Sequence, residues 1–219
     1  MFSASNLKLS LLVLLITPAL ASASSPKQCV NYAFLKNGFN MQAYQVCDAQ
    51  LKKCPNEHGM IPAEACVKKV IETTPDCQQL NKLSQKVHGT LGLLTAAAAG
   101  KKFVIITQHY PADGQHSYYI ISPLGYIVTT NIDPRSIDAD LKKRYSTADF
   151  YTKTSGDIET GTASNGSMHF TVPLQVTKTC SACEVIGLAK VQFNFSSKGK
   201  PNKAKLVSFE VGSGETATK

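Results

Sequence analysis

Five of the seven cysteines fall between Cys29 and Cys77, and the other two, Cys180 and Cys183, stand three residues apart near the far end of the chain. Whether these sulfurs are thiols or cross-links decides what the first third of the protein can become, and the first residues bear on that. Lys8 and the amino terminus precede an uncharged apolar run from Leu9 to Ile16, followed by the small-residue steps Ala19-Leu20-Ala21 and Ala21-Ser22-Ala23. This order reads as a secretory signal peptide over 1–23, too short to persist as a membrane span. An exported chain meets an oxidising compartment, so the expected location is periplasmic or secreted. Disulfides are then expected among Cys29, Cys47, Cys54, Cys66 and Cys77. Their connectivity is not readable. The odd cysteine is expected to be buried and inert, the alternative being a link between two chains.

The segment 24–89 reads as a cysteine-rich helical region. Asn40 suits the cap of a helix in which Tyr44, Cys47, Leu51 and Cys54 share a face. Pro62 suits a first helical position before Cys66, Val67, Val70 and Ile71. Thr74 suits the cap of a further helix carrying Leu80, Leu83 and Val87, ending near Gly89. Helices this short are marginal alone, and disulfides would tie them together.

After a bridging stretch, 90–100, the pattern changes to that of strands: Phe103 to Gln108, His116 to Ser122 and Tyr126 to Thr130, separated by turns at Pro111-Ala112-Asp113-Gly114 and Pro123-Leu124-Gly125. Asp133-Pro134 predicts a helix start, with Ile137 and Leu141 inward and Lys142, Lys143 and Arg144 at its negative end. A polar loop region over 155–166 follows. Three more strands are expected at Met168 to Val176, Val185 to Phe195 and Leu206 to Val211, with Pro173 hinting at a sheet edge. The tail, 213–219, is expected to be disordered. The whole is α+β: a mostly antiparallel sheet over 90–212 beside the stapled helices.

The phrase Tyr119-Ile120-Ile121-Ser122-Pro123-Leu124-Gly125-Tyr126-Ile127-Val128-Thr129-Thr130 resembles the central hairpin of Cache domains, the PAS-like extracytoplasmic sensor modules. The helix after it, the strand Phe170-Thr171-Val172-Pro173-Leu174 and the stretch Glu184 to Val191 are similar to later parts of that family. Ser122 stands where the hairpin usually carries an acid, and no membrane helix follows the last strand. The resemblance implies a PAS/Cache-like sheet whose face, under the helix and the 145–166 loop, holds a small ligand it does not name.

Tyr118, Tyr126, Tyr145, Phe150 and Tyr151 are the candidates to line such a pocket, against the alternative of ordinary packing. His109 and His116 flank one turn with Asp113 at its tip, a set that could hold a metal but suits a solvated hairpin better; no metal site is expected. Cys180-Ser181-Ala182-Cys183 is followed by Glu184 rather than the histidine a haem attachment needs. The expected role is a disulfide clip, with redox activity as the alternative. No cofactor is implied.

The formal charge of +8 favours anionic surfaces, yet the lysines are scattered and no aromatic–arginine array for stacking bases appears, which argues against nucleic acid. Stable membrane insertion is not expected, and the oligomeric state is open. No G-x-S-x-G, H-E-x-x-H or phosphate-cradling glycine loop occurs. The first expectation is an exported, non-catalytic binding or sensor module for a small ligand or partner protein. The alternatives are a secreted bacterial protein binding host or envelope components, and a thiol–disulfide protein using Cys180 and Cys183.

Overall fold

The computed structural model describes residues 32–57, 61–112, 114–152, 158–180 and 182–212. The leader, Cys29, Asp113 and the tail, with the expectations placed on them, lie outside these residues. Three layers are stacked: helices, a first sheet and a second sheet. In the helical layer α1 (Met41–Leu51) and α3 (Cys77–Val87) lie against the sheet with α2 (Glu64–Thr73) on their outer side. The first sheet runs β1 (Tyr32–Phe34), β7 (Tyr126–Thr129), β6 (Gln115–Ile121), β5 (Val104–Tyr110), β4 (Leu94–Ala98), every pair antiparallel. The second runs β12 (Lys205–Val211), β11 (Val185–Phe195), β10 (Met168–Thr177), with β8 (Asp149–Thr152) and β9 (Glu159–Thr162) sharing the far edge of β10. A short ribbon, β2 (Asn56–Glu57) with β3 (Ile61–Pro62), precedes α2.

Two-sided burial explains the apolar runs in the first sheet. Along β5 and β6, Val104, Ile106 and Ile121 face the helices, while Ile105, Tyr118 and Ile120 face the second sheet. Such strands have no polar face and need not alternate. The second sheet buries one face and does alternate: Phe170, Val172, Leu174 and Val176 point inward, and His169, Pro173 and Gln175 are half-buried between them. Phe103 meets Phe170 and Phe195 at ring separations of 5.3 and 5.0 Å, which closes the inter-sheet core at one end.

On the other side of the first sheet, Cys77, Leu80, Leu83 and Val87 of α3 recur at helical spacing and are buried with Tyr44, Cys47 and Leu51 of α1. Each such side chain contributes about 1.5–3 kcal/mol of burial. Cys47 and Cys77 join these two helices, and Cys54, in the turn after α1, joins Cys66 of α2. α2 has no fully buried residue; Val67, Val70 and Ile71 pack half-buried against this core, and the second bridge adds a covalent tie. The helical segment is knit to the sheet at its start as well, because β1 pairs with β7. Gly125 makes that possible: its φ is +88°, and a Cβ there would run into the carbonyl oxygen of Leu35.

Several expectations are corrected. The strands form two sheets rather than one. α1 stops at Leu51, before Cys54, although Asn40 caps it as expected, accepting from the backbone N–H groups of Gln42 and Ala43. Pro62 belongs to β3 and α2 starts at Glu64. Thr74 closes α2, and Asp76 precedes α3 with no side-chain cap. The stretch 90–100 holds strand β4, hidden because its residues are mostly alanine. Asp133-Pro134 opens only a single 3₁₀ turn, Pro134–Ser136; the helix α4 (Ala139–Arg144) is capped separately by Asp138. The loop region 155–166 contains β9.

Pro173 is not on an open edge. β8 pairs with residues 174–177 of β10 and β9 with residues 168–171, so Pro173 falls in the gap between them, where no partner asks for the N–H it lacks.

One turn breaks a local rule. Phe103 N–H donates to the Gly100 carbonyl at 2.8 Å, closing a tight turn whose central residues, Lys101 and Lys102, have φ of +37° and +66°. Asn-Gly is the usual occupant of such a turn. An L-residue with a Cβ is disfavoured there by about 1–2 kcal/mol each.

Candidate functional site

The end of the sandwich away from Phe103 is built by two hairpins, β5–β6 of the first sheet and β10–β11 of the second. In the first, the register pairs His109 with His116 directly. Both side chains lie on the face shared with Tyr118, beyond the last core residues, and both are half-buried. Their rings stand at 80° to each other with centroids 4.4 Å apart, and His109 Nδ1 lies 3.0 Å from His116 Nε2. His109 Nε2 is bonded in turn to the hydroxyl of Thr95 on β4, at 3.0 Å. His116 sits edge-on to Tyr118 at 6.3 Å.

Burial, and next the neighbouring His116, push the His109 pKa down, so this ring is held neutral. The chain Thr95–His109–His116 uses both nitrogens of His109 and one of His116. Among the described residues, Nδ1 of His116 has no hydrogen-bond partner. No group of three or more His, Cys, Asp or Glu converges as a metal site among the described residues.

The five expected pocket residues do not form one group. Tyr118 is buried in the inter-sheet core, and Tyr145 and Phe150 pack against that core from α4 and β8. Tyr145 meets Phe209 at 4.6 Å, and Arg135 lies 5.3 Å over the Phe150 ring. Tyr151 donates its hydroxyl to Asp149 at 3.3 Å. Tyr126 is at the other end of the molecule, between Tyr32 and Phe34 of β1.

Arg135 is a clasp rather than a free cation. Its Nε donates to both Asp133 oxygens at 2.9 Å, and Nη1 donates to the carbonyls of Tyr145 at 3.3 Å and Ser146 at 2.6 Å. Burial alone would raise the Asp133 carboxyl, but the hydrogen bonds and charge of Arg135 outweigh it and hold the pKa below the usual range.

Cys180 and Cys183 are disulfide-bonded in the β10–β11 hairpin, where Cys180 is exposed and Cys183 half-buried. Cys183 N–H donates to the Cys180 carbonyl at 3.0 Å, the Thr179 hydroxyl stands 3.5 Å from the Cys183 sulfur, and Lys178 and Glu184 pair across the stem at 2.6 Å. The pair lies in the strand-to-strand turn between β10 and β11. Just before it, at a bulge, the hydroxyl of Thr177 is fully buried without a hydrogen-bond partner among the described residues.

Thr95 and Arg135 are the participants that sequence reasoning did not place. Thr95 belongs to the alanine-rich strand that carried no strand signal, whereas the pairing of Arg135 with Asp133, two residues away, was open to reading. Comparison of the chain with protein-family models, with curated proteins and with solved structures finds no match.

Proposed function

We propose that this protein is an exported binding module that performs no chemistry and holds a small polar ligand at the end of the sandwich formed by the β5–β6 and β10–β11 hairpins. The observation that carries this reading is the half-buried relay Thr95–His109–His116, in which one imidazole nitrogen, Nδ1 of His116, has no partner among the described residues and lies beside the Tyr118 ring. A polar ligand that bonds to that nitrogen completes the relay. The three disulfides and the leader-like start of the sequence support a periplasmic or secreted location. Among the described residues no helix is long and apolar enough to cross a membrane. The likeness of the hairpin at 119–130 to Cache modules supports a sensing role.

Thermal melting of the oxidised protein against a panel of polar metabolites tests the reading. A compound that raises the melting temperature, with the shift lost in His116→Ala, supports it. A panel without any stabilising compound overturns it.

A second reading, thiol–disulfide exchange, is favoured by the exposure of Cys180 and the hydroxyl of Thr179 beside Cys183. Catalysed reduction of insulin by a dithiol, lost in Cys180→Ser, would establish it.

A further inference from the structure

The opposite end of the sandwich has a different chemistry. Four segments meet there: 99–103, 122–125, 163–167 and 196–205. Lys101 donates to the Gly166 carbonyl at 3.1 Å, Gly166 lies against Ser197, and Gly199 lies against Ser122 and Pro123. Together these segments carry Lys101, Lys102, Lys198, Lys200, Lys203 and Lys205, all exposed, and no Asp or Glu. Among the described residues the ion pairs engage Lys52, Arg135, Lys178 and Lys190, so none of the six lysines is neutralised by a carboxylate.

Apolar groups lie beside this charge. Leu124 is 47% exposed in the 122–125 turn. The Leu35 N–H donates to the Gly125 carbonyl, which sets Phe34 next to that turn. Phe34 and Tyr32, 49% and 55% exposed, flank Tyr126 edge-to-face at 5.6 and 5.2 Å. The tight turn at Lys101-Lys102 belongs to the same end. It accepts two unfavourable backbone conformations, closes the β4–β5 hairpin through the Phe103 N–H, and presents two ammonium groups, of which Lys101 also bonds the Gly166 carbonyl. Lysines in place of the usual Asn-Gly break a local rule, as sequences do where function intervenes.

We propose that this end is a docking surface for an anionic lipid bilayer. The lysines lie over the headgroup phosphates, and Leu124, Phe34 and Tyr32 enter the interface beside them. Lysine clusters supply attraction to anionic leaflets, and amphipathic rings and aliphatic side chains settle at the level of the headgroups. An acidic glycan would satisfy the lysines and leave Leu124 and the aromatic ladder in water. The combination therefore selects a bilayer. This surface is separate from the histidine end, so either reading can fail alone.

Co-flotation of the oxidised protein with vesicles tests the proposal, using phosphatidylcholine alone and phosphatidylcholine mixed with phosphatidylglycerol. Binding is expected only to the mixed vesicles, falling as salt shortens the Debye length. It should drop about fivefold for each lysine removed in the series K101Q, K102Q, K198Q and K200Q. L124D is expected to lose vesicle binding while keeping its retention on heparin, and unchanged melting of each variant shows that the fold is intact. No flotation, flotation indifferent to phosphatidylglycerol, or retention on heparin without any binding to vesicles would each overturn it.

Discussion

Nδ1 of His109 and Nε2 of His116 lie 3.0 Å apart on nearly perpendicular rings, so one proton serves both nitrogens. A second proton placed between them would set two N–H groups against each other and break the contact. Within the relay it is burial first, and His116 second, that favour the neutral form of His109.

That fixes the sign of a pH dependence. Burial first, and His116 second, lower the His109 pKa in the folded protein, whereas an unfolded histidine titrates near about 6.5. The stabilisation is complete above that value and is lost as the pH falls through the folded pKa. Urea unfolding across this window should show stability declining toward acid. His109→Gln should flatten the decline, and His116→Ala should leave the part due to burial. A wild-type curve matching that of His109→Gln would disprove the lowered pKa of His109.

Thr177 offers a gain rather than a loss. Its hydroxyl is buried without a partner among the described residues, and an unsatisfied polar group costs about 1–3 kcal/mol. Thr177→Val keeps the branched shape that suits a strand and removes the hydroxyl. The variant is expected to be more stable by about 1 kcal/mol in urea titration. A destabilised variant would mean that the hydroxyl is engaged.

The two disulfides of the helical layer should act differently. Loop-closure entropy assigns about 3.5 kcal/mol to Cys47–Cys77, which spans 30 residues, and about 3 kcal/mol to Cys54–Cys66, which spans 12. Cys47 and Cys77 are fully buried against the first sheet, so replacing both with alanine should lower global stability. α2 has no fully buried residue and packs only through the half-buried Val67, Val70 and Ile71, so replacing Cys54 and Cys66 should free its amides to exchange while those of β5 and β6 stay protected. Hydrogen exchange by mass spectrometry separates the two, and equal loss of protection everywhere would refute the distinction.

Exposure sets the order of reduction. Cys180 is open to solvent and Cys47 and Cys77 are not. Limiting dithiol should therefore open Cys180–Cys183 first, which alkylation and peptide mapping would detect. Prior opening of Cys47–Cys77 would contradict the packing described.

Arg135 should resist conservative replacement. Lysine keeps the charge but cannot hold both oxygens of Asp133 and two carbonyls at once. Arg135→Lys is expected to cost about 1 kcal/mol, given that Asp133 is half exposed, and to raise the Asp133 pKa toward its ordinary value. A carboxyl titration unchanged in the variant would show that the clasp is not what lowers it.

The sequence was legible where local chemistry and burial agreed. Asn40 capped its helix, and Leu80, Leu83 and Val87 repeated at helical spacing because one stripe of α3 is buried. The long strands β10 and β11 alternated because their sheet has a single buried face. Legibility failed where the information is non-local. β4 lacks side chains that mark a strand, and β1 is three residues whose partner is β7. The division into two sheets depends on which faces meet, which no spacing along the chain records. Of the site, the facing histidines followed from turn length, while the scatter of the five aromatic residues follows from the layering.

The pairing of β1 with β7 sets an order of assembly. Tyr32 has no strand to join until Val128 has been made, whereas Cys47 and Cys77 become available far earlier. In a chain that emerges from its amino terminus, the crossed helices are the part able to close on itself first. The edge of the first sheet, a contact of long sequence separation, is laid down late. The aromatic ladder beside Leu124 therefore takes shape after the helices, while the second sheet, from Asp149 onward, emerges later still.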